Sequence, residues 1–456
     1  MTPAAVVALS SIALVAVAST VIGSFGVRFA RNTSDFLVAS RTVGPTANAA
    51  AISGEYLSAA SFLSVAGIIM KEGPDGLWYP VGYTAGYLAL LLFVSAPLRR
   101  SGAYTVPDFA EFRLRSPLVQ RVSTIFVIII GWMYLLPQLQ GAGLTVATVV
   151  PTLPAWTGAV AAGLVVIATV VFGGMRSITF VQAFQYWLKL TALALPALIL
   201  VIYLGNDLRP FNRPAPPQFS TDTKVNIKTD VVLRVSQPVT FRAVGVLDGR
   251  QTTDTDLVRW YPGVDHTARE GAVLSFDAGS SVPVPAGSPE RDSSWLTPLS
   301  GSSSHPLIGI YSLILATFLG TMGLPHVLVR FYTNPDGRAT RRTTVLVLAM
   351  LGGFYLMPTL LGALSRLYVP QLLVSGETDA AVLLLPSAAL GGGLIPTLLG
   401  GLVAAGAWAA FLSTASGLVV GVAGVLSTSP TLFRRSGVRD FRLAALLAGA
   451  VPLGLT

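Results

Sequence analysis

Read for apolar and polar positions, the 456-residue chain is a succession of long apolar runs divided by short polar ones. Windows of about 20 apolar residues, enough to cross a bilayer as a helix, fall near 4–26, 46–70, 77–97, 122–150, 154–173, 178–203, 306–330, 344–366, 392–426 and 441–456. They predict an all-α polytopic membrane protein. The first run, Ala4 to Gly23, has no basic segment ahead of it and no convincing cleavage site. It is expected to be a retained span rather than a signal peptide. The last window is cut off by the end of the chain.

Two windows are interrupted. Ala47 to Met70 reads ANAAAISGEYLSAASFLSVAGIIM, with Ser53, Gly54, Glu55, Tyr56 and Ser58 where lipid would want leucine. Irregular backbone at membrane depth is tolerated only inside protein or against a wet cavity, and an ionisable residue there is a functional-site hypothesis. Five spans later, LIGIYSLILATFLGTMGLPHVLVRF carries Gly320, Gly323 and Pro325. Interrupted helices at matching places in two halves mark the binding site of transporters built from inverted repeats.

Residues 204–305 break the apolar rhythm, fenced by RPFNRPAPPQF and SGSSSHP. Inside, VVLRVSQPVTFRAVGVLDGR and GAVLSFDAGSSVPV alternate apolar and polar residues at period two, with Gly, Pro and Asp at the turns. This pattern predicts a small β-rich domain; the Pro/Ser-rich flanks leave a disordered insert as the other reading. Partner binding and gate shielding both stay open as its role, and its protein partner is unknown.

Composition narrows the classes. The chain is 52% hydrophobic and 11% charged, roughly half the charge of soluble domains. It has no cysteine, which excludes disulfides, thiolate metal sites and cysteine nucleophiles. His266, His305 and His326 are far apart, so a histidine metal cluster is not expected. No nucleophile–base set or phosphate loop supports an enzyme, and nothing points to nucleic acid.

The net charge of +9 is almost all arginine, and the arginines sort by alternate loops. Arg28, Arg31 and Arg41 follow the first span, and Arg99, Arg100, Arg113, Arg115 and Arg121 the third. Arg176 follows the fifth, Arg338, Arg341 and Arg342 the seventh, and Arg434, Arg435, Arg439 and Arg442 the ninth. The short loops 71–76, 151–153 and 367–391 carry Lys71 and otherwise only acids. The positive-inside rule then puts the arginine loops in the cytoplasm, with the N-terminus and the 204–305 segment outside a plasma membrane. Within the arginine-rich stretch 98–121, Asp108 and Glu111 are expected to pair with neighbouring arginines on an interfacial helix.

Four separated motifs, SGEYLSAASFLSVAG, GGMRSITFVQ, GTMGLPHVLVRFYT and AAFLSTASGLVV, resemble the sodium:solute symporter family, and within it the acetate and short-monocarboxylate permease branch. The resemblance runs from about Asp35 to the chain's end, apart from the 204–305 insert. It implies a LeuT-like five-plus-five inverted repeat with an extra helix in front. The expected division is the extra transmembrane helix at 1–27, a first repeat at 28–203, the extracellular insert at 204–305, and a second repeat at 306–456 that is truncated before its last span. It implies sodium-coupled symport, by alternating access, of a small organic anion such as acetate, propionate or pyruvate. Proton coupling, or another solute such as proline, pantothenate or a sugar, stands as the alternative. A sensor using the 204–305 domain is a further one.

By position, the resemblance assigns a sodium ion to the carbonyls of Ala49, Ile52 and Ala410 and the hydroxyls of Ser413 and Thr414. Their chemistry is compatible: Ala410, Ser413 and Thr414 are spaced i, i+3, i+4 on one helix face, Ala49 and Ile52 lie just before the expected break, and a hard cation wants oxygen. Ser413 and Thr414 could equally back-bond within their own helix.

The substrate candidates are Glu55, Tyr56 and Lys189. A bare carboxylate would repel an anionic substrate, so ordering the break or capping the half-helix is the favoured role for Glu55. Tyr56 reads as cavity wall or core. Gln182, Gln185 and Lys189 form a stripe at i, i+3, i+7, and Gln182 stands where sugar and proline branches of the family resemble an acid. Lys189 could attract an anion, stand in for sodium, snorkel, or pair with Glu55. His326 reads as a capping or interfacial residue. Trp132, Tyr134, Gln138 and Gln140 read as cavity wall or packing.

Overall fold

The computed structural model describes residues 2–27, 39, 42–205, 216–253, 256–300, 305–428 and 437–456. Arg28, Arg31, Arg41, Arg434, Arg435, the Asp35 start of the family resemblance and most of both flanks of the insert lie outside the described residues.

Six helical stretches among the described residues are long and apolar enough to cross a membrane: Pro3–Ser24, Ala60–Val94, Pro117–Val149, Ala155–Leu204, Gly337–Tyr368 and Leu394–Thr428. The helices are α1 (Pro3–Val27), α2 (Pro45–Tyr56), α3 (Val65–Glu72), α4 (Trp78–Ala89), α5 (Ser95–Ser101), α6 (Val106–Leu114), α7 (Pro117–Val149) and α8 (Ala155–Leu204). After the insert come α9 (Pro306–Met322), α10 (Pro325–Val329), α11 (Gly337–Tyr368), α12 (Gln371–Ser375), α13 (Ala381–Leu390), α14 (Leu394–Thr428) and α15 (Val438–Leu453). Proline opens α2, α7, α9 and α10, where its missing N–H costs no intrahelical bond. Within α8, Gly174 takes φ 61°, a conformation that favours glycine, and separates a span at 155–173 from one at 175–204.

Helix α14 is the axis. Every residue from Val403 to Ser427 is buried, and the helix packs against α1, α2, α7, α8 and α15. Small residues line it, which lets backbones approach in a membrane interior. Against this axis lie two broken helices. The first is α2, an irregular step at Leu57–Ala59, a π-helical turn at Ala60–Ser64, and α3. The second is α9 and α10, divided at Gly323–Leu324.

Two expectations fail. The segment 367–391 is not a plain loop, for α12 and α13 form in it; Leu372, Leu373, Val374, Ala380 and Ala381 bury their side chains in one core with Met70 and the insert. Among the described residues Asp108 is in no ion pair with an arginine. Thr105 caps α6 by accepting from the Asp108 N–H at 3.3 Å, while the Asp108 carboxylate accepts from the Thr105 N–H at 3.1 Å. Such a box satisfies two otherwise orphaned backbone donors.

Among its described residues the insert carries eight antiparallel strands: β1 (Thr223–Asn226), β2 (Val231–Arg234), β3 (Val239–Leu247), β4 (Arg250–Thr252), β5 (Leu257–Trp260), β6 (His266–Ala268), β7 (Val273–Phe276) and β8 (Val284–Pro285). The order is β1-β7-β3-β6-β2-β8, with β4 and β5 also paired to β3. Val239, Phe241 and Ala243 alternate inward along β3, and Phe241 touches both Trp260 and Phe276, with ring centroids 4.7 and 4.8 Å away.

The insert is bolted to the helices. Arg366, in the last turn of α11, is fully buried and its Nε donates to Asp292 of the insert at 3.0 Å. It also donates to the carbonyls of Met70 at 3.2 Å and Pro289 at 3.4 Å, and its guanidinium lies 5.2 Å from the Trp295 ring centroid. Trp295 Nε1 donates to the Ile69 carbonyl at 3.0 Å. A buried charge deprived of its partner costs about 3–5 kcal/mol. Asp292→Ala is therefore expected to lower the stability of the purified protein by that order in a detergent thermal melt, and Asp292→Leu with Arg366→Met to restore most of it. A melt unmoved by Asp292→Ala would show that the insert docks without this pair.

Candidate functional site

The step at Leu57–Ala59 is where polar chemistry converges. Leu57 N–H still bonds to the Ser53 carbonyl at 3.0 Å, but the Ala59 N–H turns away to Gln138 Oε1 at 3.1 Å. Leaving the helix there releases the carbonyls of Gly54, Glu55 and Leu57 to other donors. Lys189 Nζ donates to the Gly54 carbonyl, to the Leu57 carbonyl at 2.8 Å and to Ser413 Oγ at 2.8 Å. The Ser413 hydroxyl reaches the Gly54 carbonyl at 2.7 Å and the Ala410 carbonyl at 3.0 Å, and the Thr414 hydroxyl donates to the Glu55 carbonyl at 2.7 Å.

Of the five sodium candidates, Ser413, Thr414 and Ala410 thus meet the break of the first helix. Ala49 and Ile52 are buried as well but lie inside α2, which runs on to Tyr56. The expected break just after Ile52 is displaced by about one turn. Gly54 does not unwind the helix; a Cβ there would collide with the Gln182 carbonyl, so the glycine serves close packing of α2 on α8.

Beside these carbonyls sits a buried ion pair. The Glu55 carboxylate accepts from Arg330 Nε, and both side chains are only 1% exposed. The same guanidinium donates to Thr179 Oγ1 at 2.8 Å and to Gln182 Oε1. The Gln182 amide in turn donates to the Ser413 carbonyl at 2.7 Å. Glu55 therefore orders the break through Arg330. It sits in the last turn of α2, where the helix dipole disfavours a carboxylate, so the capping role does not hold. Gln185 points elsewhere and donates to Ser19 of α1 at 3.0 Å.

Adjoining the break is a cavity of about 310 Å³, lined among others by Tyr56, Ser58, Ser61, Tyr83, Tyr134, Thr317, Thr321 and Tyr355. Its polar walls are hydroxyls: Tyr134 donates to Ser58 Oγ at 3.0 Å, the Ser61 and Tyr355 hydroxyls lie 2.9 Å apart, and Tyr56 and Thr321 lie 3.5 Å apart. Of the three substrate candidates only Tyr56 lines this cavity; Glu55 and Lys189 are held in the buried network next to it. Tyr134 and Gln138 reach the break region, whereas Gln140 is exposed and Trp132 half-buried. His326 is neither cap nor interface: it is buried with its ring centroid 5.7 Å from that of Tyr134.

Sequence reasoning missed Tyr83, Tyr355 and Thr179, which carry no local signal. Arg330 did carry one, an arginine inside an apolar window, but its partner lies 275 residues away.

Comparison with known proteins places this architecture. A monocarboxylic acid transporter of Corynebacterium glutamicum is 29% identical over 395 residues, covering 85% of this chain and 60% of the relative. The uncharacterized symporter YwcA of Bacillus subtilis is 28% identical over 406 residues, covering 88% of this chain and 64% of the relative. The chain thus spans less than two thirds of the length of either relative. In fold it is similar to the outward-open, substrate-bound structure of a Na+-coupled sialic acid symporter, with a TM-score of 0.65 at 12% identity over 98% of this chain and 79% of that one. The sequence model of one family matches residues 36–267 and 286–429. This chain, a mostly helical multi-pass membrane protein, belongs to the sodium:solute symporter family, whose coupling ion is sodium.

Proposed function

We propose that the protein carries a small monocarboxylate such as acetate, propionate or pyruvate into the cell with sodium, by alternating access. The observation that carries this reading is the adjacency of two unlike environments at Leu57–Ala59. On one side are released carbonyls and the hydroxyls of Ser413 and Thr414, suited to a hard cation. On the other is a hydroxyl-lined cavity with no carboxylate in its wall. The buried network pairs Glu55 with Arg330 and holds Lys189 on the oxygens of Gly54, Leu57 and Ser413, so that with Lys189 protonated it carries an excess positive charge that favours an anion nearby. The helix resuming at Ala60 turns its N-terminus toward the cavity, and half-helix N-termini in such folds attract anionic groups. The relative from Corynebacterium glutamicum, named for monocarboxylic acids, supports the same substrate class.

In this reading α2–α8 and α9–α15 belong to the two inverted halves, α1 stands in front of them, the arginine-rich ends face the cytoplasm and the insert lies outside. Sodium takes the Ala410 carbonyl and the Ser413 and Thr414 hydroxyls, joined by the carbonyls of Ala49 and Ile52 when α2 unwinds by a further turn from its end at Tyr56, and Tyr56 walls the substrate. Tyr134 and Tyr355 turn their O–H groups to the carboxylate.

A second reading rests on Lys189. Its ammonium occupies the carbonyls released at the break. Two unit charges about 4 Å apart repel by about 4 kcal/mol at an effective dielectric of 20. Sodium at Ser413 therefore requires the ammonium to withdraw; in the second reading the ammonium stays and sodium is not the driver at this place.

Proteoliposome uptake of labelled acetate separates the two. With one sodium per monoanion the cycle is electroneutral, so a tenfold sodium gradient should accumulate acetate about tenfold and an imposed voltage should change little. Ser413→Ala with Thr414→Ala should raise the half-saturating sodium concentration by about tenfold or more, as loss of charge-assisted ligands does. Uptake that ignores both sodium and these substitutions would sink the sodium assignment.

Lys189→Met should lower the half-saturating sodium concentration if sodium displaces the ammonium; abolished gradient-driven uptake with passive exchange retained supports the second reading instead. Tyr355→Phe should raise the KM for acetate by about tenfold, the worth of one hydrogen bond to a charge, with the sodium response kept. An unchanged KM would remove Tyr355 from the substrate.

A further inference from the structure

A second cleft lies away from the break, between α5 and the first turns of α11, with a volume of about 790 Å³. Its walls include Leu91, Leu92, Arg100, Asp336, Thr340 and Arg341. It is at the end of α11 opposite Arg366, so it faces away from the insert. Its polar groups divide into spent and available ones. Asp336 caps α11, accepting from the Ala339 N–H at 2.7 Å, and the Thr340 hydroxyl donates to the Asp336 carbonyl at 2.8 Å. The exposed side chains of Arg100 and Arg341 are in no ion pair among the described residues. The opposite wall is apolar and continues outward: Leu92 is 60% and Phe93 72% exposed on a helix that spans the membrane.

We propose that this cleft binds the headgroup of an anionic phospholipid, with a phosphate held by Arg100 and Arg341 and an acyl chain along Leu92 and Phe93. Guanidinium groups match phosphate oxygens bidentately, and basic pockets between membrane helices attract anionic headgroups. The apolar wall decides the source of the phosphate. A free phosphate or nucleotide gains nothing from Leu92 and Phe93, whereas a lipid satisfies both walls at once. Asp336 does not repel the ligand strongly, since its charge is spent on the N-terminus of α11.

Native mass spectrometry of the purified full chain, offered equal phosphatidylglycerol and phosphatidylcholine, reads the proposal directly. The unmodified protein should retain phosphatidylglycerol about tenfold in preference, and Arg100→Gln with Arg341→Gln should erase that preference. Arg100→Lys with Arg341→Lys should keep part of it, since charge persists without the bidentate fork. Arg121→Gln with Arg439→Gln, exposed arginines outside the cleft, should keep all of it. Equal retention of the two lipids, an undiminished preference in the cleft glutamine variant, or displacement of the lipid by millimolar inorganic phosphate would each overturn the assignment.

Discussion

The pairing of Arg330 with Glu55 is the constraint on which the centre of the protein depends. Each ion loses several kcal/mol of solvation when buried, so neither tolerates the loss of the other. The pair crosses between the last turn of α2 and the end of α10, the first half of one broken helix and the second half of the other. A second staple runs parallel to it, for Asn48 of α2 donates to Asn334 at 2.9 Å and accepts from Thr333 at 3.1 Å. These two half-helices are therefore one mechanical piece. Gln182 is fitted to this place because an amide has both functions: it accepts from Arg330 and donates to the Ser413 carbonyl. A carboxylate there could only accept. Gly417 completes the fit, since a Cβ on α14 would occupy the volume of the Glu55 carboxylate.

That arrangement gives the break its chemistry. With Glu55 neutralised by Arg330, the ammonium of Lys189 is the unbalanced charge at the centre. It is met only by neutral oxygens, those of Gly54, Leu57 and Ser413. Neutral oxygens hold a cation weakly enough to exchange it, which a carrier needs and a structural metal site avoids. In the proposed function the same oxygens would serve a tethered ammonium or a free sodium ion, and the choice between them would be set by where Lys189 can withdraw to, a matter of the space around α8 rather than of ligand type.

Much of the helical layout was legible in the chain. The window 306–330 and its Gly323–Pro325 interruption correspond to α9 and α10, and the divide between 154–173 and 178–203 corresponds to the bend at Gly174. Hydropathy sees these because each span must be apolar on its own. The position of the first break was misread because Gly54 looks like a hinge in one dimension, whereas its hydrogen atom is used to admit the backbone of α8. Helices α12 and α13 were hidden in a segment read as a loop because protein and not lipid covers their apolar faces, the insert in the case of α12 and neighbouring helices in the case of α13. The partnership of Glu55 with Arg330 was illegible for a different reason: each is separately a costly intramembrane charge, and only the fold shows that the two costs offset one another.

The two ends of the first broken helix are held unequally, and this bears on how a ligand could move it. Its first half, α2, is fastened through a buried ion pair, and its second half, α3, through Trp295 to Ile69 and Arg366 to Met70, against the insert and α11. Between them, Leu57–Ala59 is kept in place by single hydrogen bonds from Gln138, Lys189 and the Ser58–Tyr134 pair. A hydrogen bond between neutral groups is worth about 1 kcal/mol net and one from an ammonium about 1.5–3, against about 3–5 for a broken buried ion pair. Rearrangement therefore concentrates at the step, the one stretch whose bonds are cheap to exchange. Those bonds involve the same oxygens and hydroxyls that a cation and a carboxylate would take. A ligand shifts a conformational equilibrium only by its differential affinity for the two states, and in the proposed function the groups that bind would be the groups that hold the step. Coupling between occupancy and gate then needs no signal relayed across the protein; it is local to three residues.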